Sequence, residues 1–171
     1  LPLAEAVQRL QDGSLPARAA CITFDDGYAD NAQVALPLLQ RHGLHATFFI
    51  ATGYLDGGQM WNDTVIEAVR QAPAPVLDLR ELGLDCLPVA NLAQRQAAIA
   101  TVLGQLKYLP FDRRQQLAMQ IRRQAGATAG APAMLSTAQL RQLQAAGMEL
   151  GAHTVSHPIL STLPEQEARL D

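Results

Sequence analysis

Ala19-Ala20-Cys21-Ile22-Thr23-Phe24-Asp25-Asp26-Gly27 is the stretch on which the fold turns. Six small or apolar residues run without interruption into two carboxylates and a glycine. That pattern predicts a buried strand ending abruptly in a turn. Asn31 to Arg41 then reads as a helix, with Val34, Leu38 and Leu39 on one side, Gly43 as its stop, and Pro37 inside it as a source of a kink. Ala46-Thr47-Phe48-Phe49-Ile50-Ala51 is a second buried strand, rich in aromatic and β-branched residues. Strand, helix and strand at this spacing predict a parallel βαβ unit. Ligands of such folds bind at the carboxyl ends of strands, so Asp25 and Asp26 become candidate site residues. For either aspartate alone, a helix N-cap is the competing reading.

Working outward, Leu3 to Gln11 is expected to be helical, with Leu3, Val7 and Leu10 as its apolar stripe, followed by a turn at residues 12–16. Asn62 to Gln71 is a further helix, broken by Ala72-Pro73-Ala74-Pro75. From 73 to 130 the composition shifts to Ala, Gln, Arg and Leu. This block is read as a helical insertion on the outside of the sheet, with helices over 91–109 and 112–124 and a loop at 125–132. Ser136 caps a helix reaching Ala146, with Gln139 completing a capping box, and Gly147 ends it. Met148 to Ala152 is a third strand, and it delivers His153.

His153-Thr154-Val155-Ser156-His157 places two imidazoles four residues apart. On a helical turn they would share a face and could chelate one cation. With a carboxylate from the Asp pair they make three ligands and leave positions open, as a catalytic zinc site requires. A capped turn with solvated histidines is the bland alternative. His42 and His45 lie at the opposite end of the βαβ unit and are read as surface residues. Cys21 reads as a core residue and Cys86 as a loop residue. Trp61 is either a core plug or an aromatic wall beside a bound ligand.

Composition removes several function classes. The 171 residues carry 13 Lys plus Arg against 16 Asp plus Glu, a formal charge of −3, with no basic run, so nucleic acid is not expected as a partner. Two cysteines are too few for a disulfide scaffold or a thiolate zinc cage. No apolar stretch approaches the roughly 20 residues of a membrane helix. No signal-peptide pattern is present, but the chain starts at Leu1, so periplasmic, extracellular and cytoplasmic locations all stay open.

Thr23-Phe24-Asp25-Asp26-Gly27 and His153-Thr154-Val155-Ser156-His157 together resemble two motifs of the polysaccharide deacetylase family, the NodB-homology domain of carbohydrate esterase family 4. Ala46 to Ile50 and the segment from Leu135 to Gly151 are similar to the family's surrounding elements, so the resemblance covers about residues 19–60 and 134–165. It implies an α/β fold, a partial distorted (β/α) barrel carrying the 73–130 helical insertion within a single domain over 1–171. It further implies metal-dependent removal of N- or O-acetyl groups from an acetylated polysaccharide or oligosaccharide. Carried over by position, Asp25 would be the general base, Asp26, His153 and His157 the ligands of a divalent cation (zinc first), and Thr154 a brace for the histidine loop. Trp61 stays a candidate substrate contact. Only 14 residues follow His157 and none is a histidine, so the family's acid-bearing strand has no counterpart. The chain is therefore expected to be C-terminally incomplete, inactive when produced alone, and inclined to self-associate through open sheet edges. The second reading is a carbohydrate- or metal-binding module of the same fold that has lost turnover. The third is a purely structural α/β domain.

Overall fold

The structure is a computed structural model that describes residues 1–128, 130 and 133–171. Its elements in chain order are α1 (Leu3–Gln11), β1 (Thr23–Phe24), α2 (Leu36–Arg41), β2 (Thr47–Ile50), α3 (Trp61–Gln71), β3 (Val76–Asp78), β4 (Cys86–Pro88), α4 (Leu92–Leu106), α5 (Phe111–Gln124), α6 (Thr137–Ala145), β5 (Glu149–Ala152) and α7 (Glu165–Ala168). They divide into two compact units, Leu1–Gly58 with Pro132–Asp171, and Gln59–Ala131.

The first unit is built on a parallel sheet of order β1-β2-β5. Phe24 pairs with Phe48 in register, and their rings stack at 4.9 Å. Phe48 is fully buried with Leu36, Leu39, Ile50, Leu135 and Leu143, so α2 and α6 supply the cover for the sheet's core face. The capping box at α6 is present: the Ser136 hydroxyl accepts the Gln139 N–H, and the Gln139 side chain accepts the Ser136 N–H. Glu149, at the start of β5, accepts the Thr47 hydroxyl at 2.5 Å, and the N–H groups of Ala4 and Leu3 in the first turn of α1 also bond to it. These bonds hold its carboxyl below the ordinary carboxylate range, the Thr47 hydroxyl most of all.

Three sequence expectations change here. The first strand is only Thr23–Phe24, not the run from Ala19; the pairing with β2 begins at Thr47, whose N–H bonds the Ile22 carbonyl. The helix from Asn31 begins as one π turn over Asn31–Ala35, in which the Leu36 N–H bonds the Asn31 carbonyl. Pro37 explains it: with no N–H to give, it cannot continue an ordinary ladder at that position. The apolar stripes are also less buried than their spacing suggests. Val34 (56% exposed) and Leu38 (46% exposed) line an open apolar cavity beside Phe24 at the β1 edge, and Val7 and Leu10 of α1 face solvent.

The second unit holds α3, α4 and α5 together with an antiparallel β3–β4 hairpin in which Leu77 faces Leu87. The block 73–130 is thus not wholly helical. Its strands are three residues long, too short for an alternating pattern to declare itself. Cys86 is an exposed residue of β4, not of a loop, and both cysteines are free thiols. Val65, Val69, Val89, Val102, Leu106 and Ile121 form the core. Arg95 closes the carboxyl end of α3 by donating to the carbonyls of Val69, Arg70 and Ala72. Of the loop expected at 125–132, Ala129, Ala131 and Pro132 lie outside the described residues. Among the described residues, no helix is long and apolar enough to cross a membrane.

Candidate metal centre

Because β1, β2 and β5 run in one direction, the segments that leave them, 25–27, 51–54 and 153–157, gather at one end of the sheet. The Ala51 N–H bonds the Asp26 carbonyl at 3.1 Å, and the His153 N–H bonds the Ile50 carbonyl at 2.9 Å. Asp26 sits at φ 74°, a left-handed turn followed by Gly27 at φ 87°. A Cβ on Gly27 would press on the Ile50 side chain at 3.1 Å, so the tight turn requires glycine there.

Asp26 Oδ1 lies 3.1 Å from His157 Nε2 and 3.5 Å from His153 Nε2. One ligand atom from each of the three residues lies within 4.8 Å of the others. The side chains are 26%, 35% and 37% exposed, so the cluster is held by the protein on one side and open to solvent on the other. Two imidazoles and a carboxylate converging in this way fit a divalent first-row cation with free coordination positions. Asp25 is exposed at the end of β1, next to Asp26, and its carbonyl accepts the Gly27 N–H. Trp61 belongs instead to the core of the second unit, 9% exposed, with the Arg114 guanidinium 5.0 Å over its ring, as the core-plug reading has it.

The histidines do not share a helical face. Residues 153–157 form an irregular loop in which Thr154 (φ 66°) and His157 (φ 51°) take left-handed conformations. Each such non-glycine residue costs on the order of 1–3 kcal/mol, the more so for β-branched Thr154, and persists only where its surroundings over-determine it. Here they do. The Thr154 hydroxyl donates to the His153 carbonyl and accepts the His157 N–H at 3.0 Å. The N–H groups of Thr52 and Gly53 bond the carbonyls of Thr154 (3.1 Å) and Val155 (2.9 Å), and the Tyr54 hydroxyl donates to the Ser156 carbonyl at 2.9 Å.

On the loop's other side, Asp171 Oδ1 accepts the N–H groups of Val155 (2.7 Å) and Ser156 (2.8 Å), and Oδ2 accepts the Ser156 hydroxyl. Burial pushes this carboxyl up, but the bonds from Ser156 and Val155 outweigh it and hold it below the ordinary range. Sequence reasoning missed Asp171, as it missed Tyr54 and Gly53. An acid past the short helix α7 has no spacing that ties it to the histidine motif.

The polysaccharide deacetylase family model matches residues 12–77 and 117–171, more than half of the chain and both motif segments. This chain belongs to the polysaccharide deacetylase family. The family match passes over residues 78–116. Among curated proteins, "Putative polysaccharide deacetylase YxkH" of Bacillus subtilis (strain 168) is 41% identical over 49 residues, 29% of this chain. In that match the chain spans only 18% of YxkH. No solved structure matches it.

Proposed function

We propose that this family member is a metal-dependent hydrolase that removes N- or O-linked acetyl groups from a polysaccharide or oligosaccharide. The observation that carries the reading is the convergence of Asp26, His153 and His157 at the carboxyl ends of parallel strands, with Asp25 exposed beside them. Asp26, His153 and His157 hold a divalent cation, zinc first. When bound, that cation supplies Lewis-acid polarisation of an acyl oxygen and acidification of a water. Asp25 accepts the proton of the attacking water, and its exposure leaves it free to do so. Thr154 keeps the histidine loop closed. The three-stranded sheet is one arc of a distorted barrel with a helical insertion in it; the gap in the family match supports an insertion over 78–116, whereas 73–77 and 117–130 of the expected 73–130 block fall within the match.

The test pairs elemental analysis with acetate release from acetylated sugar oligomers by the whole protein. One divalent cation per chain is expected, with release abolished by a chelator and restored by metal. Full activity after complete metal removal overturns the reading.

A further inference from the structure

We infer that Asp171 is a positioning residue of this centre: its carboxylate clamps the Val155–Ser156 backbone and thereby aims His153 and His157 at Asp26. The inference rests on the proposed metal centre. The carbonyl side of the loop has three separate supports, Thr52, Gly53 and Tyr54. The N–H side, at Val155 and Ser156, is answered by Asp171: its carboxylate takes both N–H groups and the Ser156 hydroxyl, and its backbone carbonyl shares the Val155 N–H at 2.9 Å. Both N–H groups converge on a single oxygen, and hydrogen bonds to an ionised acceptor are about twice as strong as neutral ones. The loop they fix contains two left-handed non-glycine residues, one of them His157 itself. With that carboxylate removed, the Ser156 N–H loses its described partner and the Val155 N–H keeps only the Asp171 backbone carbonyl, so the loop is held from its carbonyl side and the two imidazoles flanking it lose part of their common aim. Asp171 is not among the three residues whose ligand atoms cluster, so its effect passes through the backbone rather than through coordination.

The experiment measures Co2+ affinity by titration calorimetry and the visible Co2+ spectrum for the whole protein and for Asp171→Ala, Asp171→Asn and His157→Ala. Outer-shell substitutions typically cost 10–100-fold in metal affinity. Asp171→Ala is expected to bind Co2+ at least 10-fold more weakly, with shifted visible bands. Asp171→Asn keeps an oxygen for the two N–H groups and should recover part of both. Wild-type affinity and bands in a folded Asp171→Ala, alongside a deficient His157→Ala, overturn the role of Asp171 and leave the metal centre standing. No Co2+ binding by the unsubstituted protein overturns the metal centre and this inference together. If Asp171→Ala does not fold by circular dichroism, Asp171→Asn decides: a weaker, shifted site supports the clamp, and an unchanged one overturns it.

Discussion

Asp25 and Asp26 are neighbours in the chain, yet the left-handed turn at Asp26 sends their side chains to different surroundings. Asp26 points into the histidine pair, while Asp25 stays exposed at the strand's end. Replacing Asp25 with Asn preserves shape and removes the proposed proton acceptor. Asp25→Asn should therefore retain its metal by elemental analysis while acetate release falls by about 10²–10⁴-fold. At Gly53, a Cβ would stand 2.5 Å from the Val155 carbonyl oxygen, closer than real contacts allow. Gly53→Ala must push the histidine loop away. Metal affinity, read by calorimetry, should drop although residue 53 offers no ligand.

The elements bear unequally on the site. Helix α6 is well capped and leads into β5, so its stability is separable from the loop's chemistry. Loss of the cap in Ser136→Ala should cost about 1 kcal/mol in chemical denaturation and leave metal affinity unchanged. The same helix shows what could be read in advance. Ser136 and Gln139 interact within one turn, so local chemistry decides that end; α1 also has the expected bounds of Leu3 to Gln11, although its first turn is answered by Glu149 of β5. The β3–β4 hairpin and the π turn were not legible. The hairpin's pairing lies in a partner segment eight or more residues away, and the π turn follows from what Pro37 cannot donate rather than from any hydrophobic spacing. At the site, residue types and their order along the chain pointed to Asp26, His153 and His157. The left-handed backbone that aims them, and Asp171 that secures it, depend on contacts no local pattern encodes.

Over the whole molecule, charge is spent on ties between distant segments. Glu149 joins β5 to Thr47 and α1, Asp56 accepts the hydroxyl and N–H of Thr137, and Asp171 holds the loop at 155–156. All three carboxyls titrate below their ordinary values, by the hydrogen bonds named. A group lowered on folding contributes its stability above the unfolded value, about 4 for carboxyls, and loses it as pH falls through the lowered folded value. Denaturation midpoints should thus be flat above about pH 5 and fall below about pH 4. Glu149→Gln should lower the plateau and make the acid limb shallower. Asp26 follows β1, whereas His153 and His157 share the loop after β5, more than 120 residues further along the chain. The unfolded chain keeps the two histidines near one another but not Asp26, so a cation at the proposed centre binds the native state more tightly than the unfolded one. Free metal concentration then acts as a thermodynamic variable of folding, worth about 2.7 kcal/mol when it reaches a hundred times Kd. Scanning calorimetry should show Tm climbing with the logarithm of added metal and collapsing to a metal-independent floor in His157→Ala.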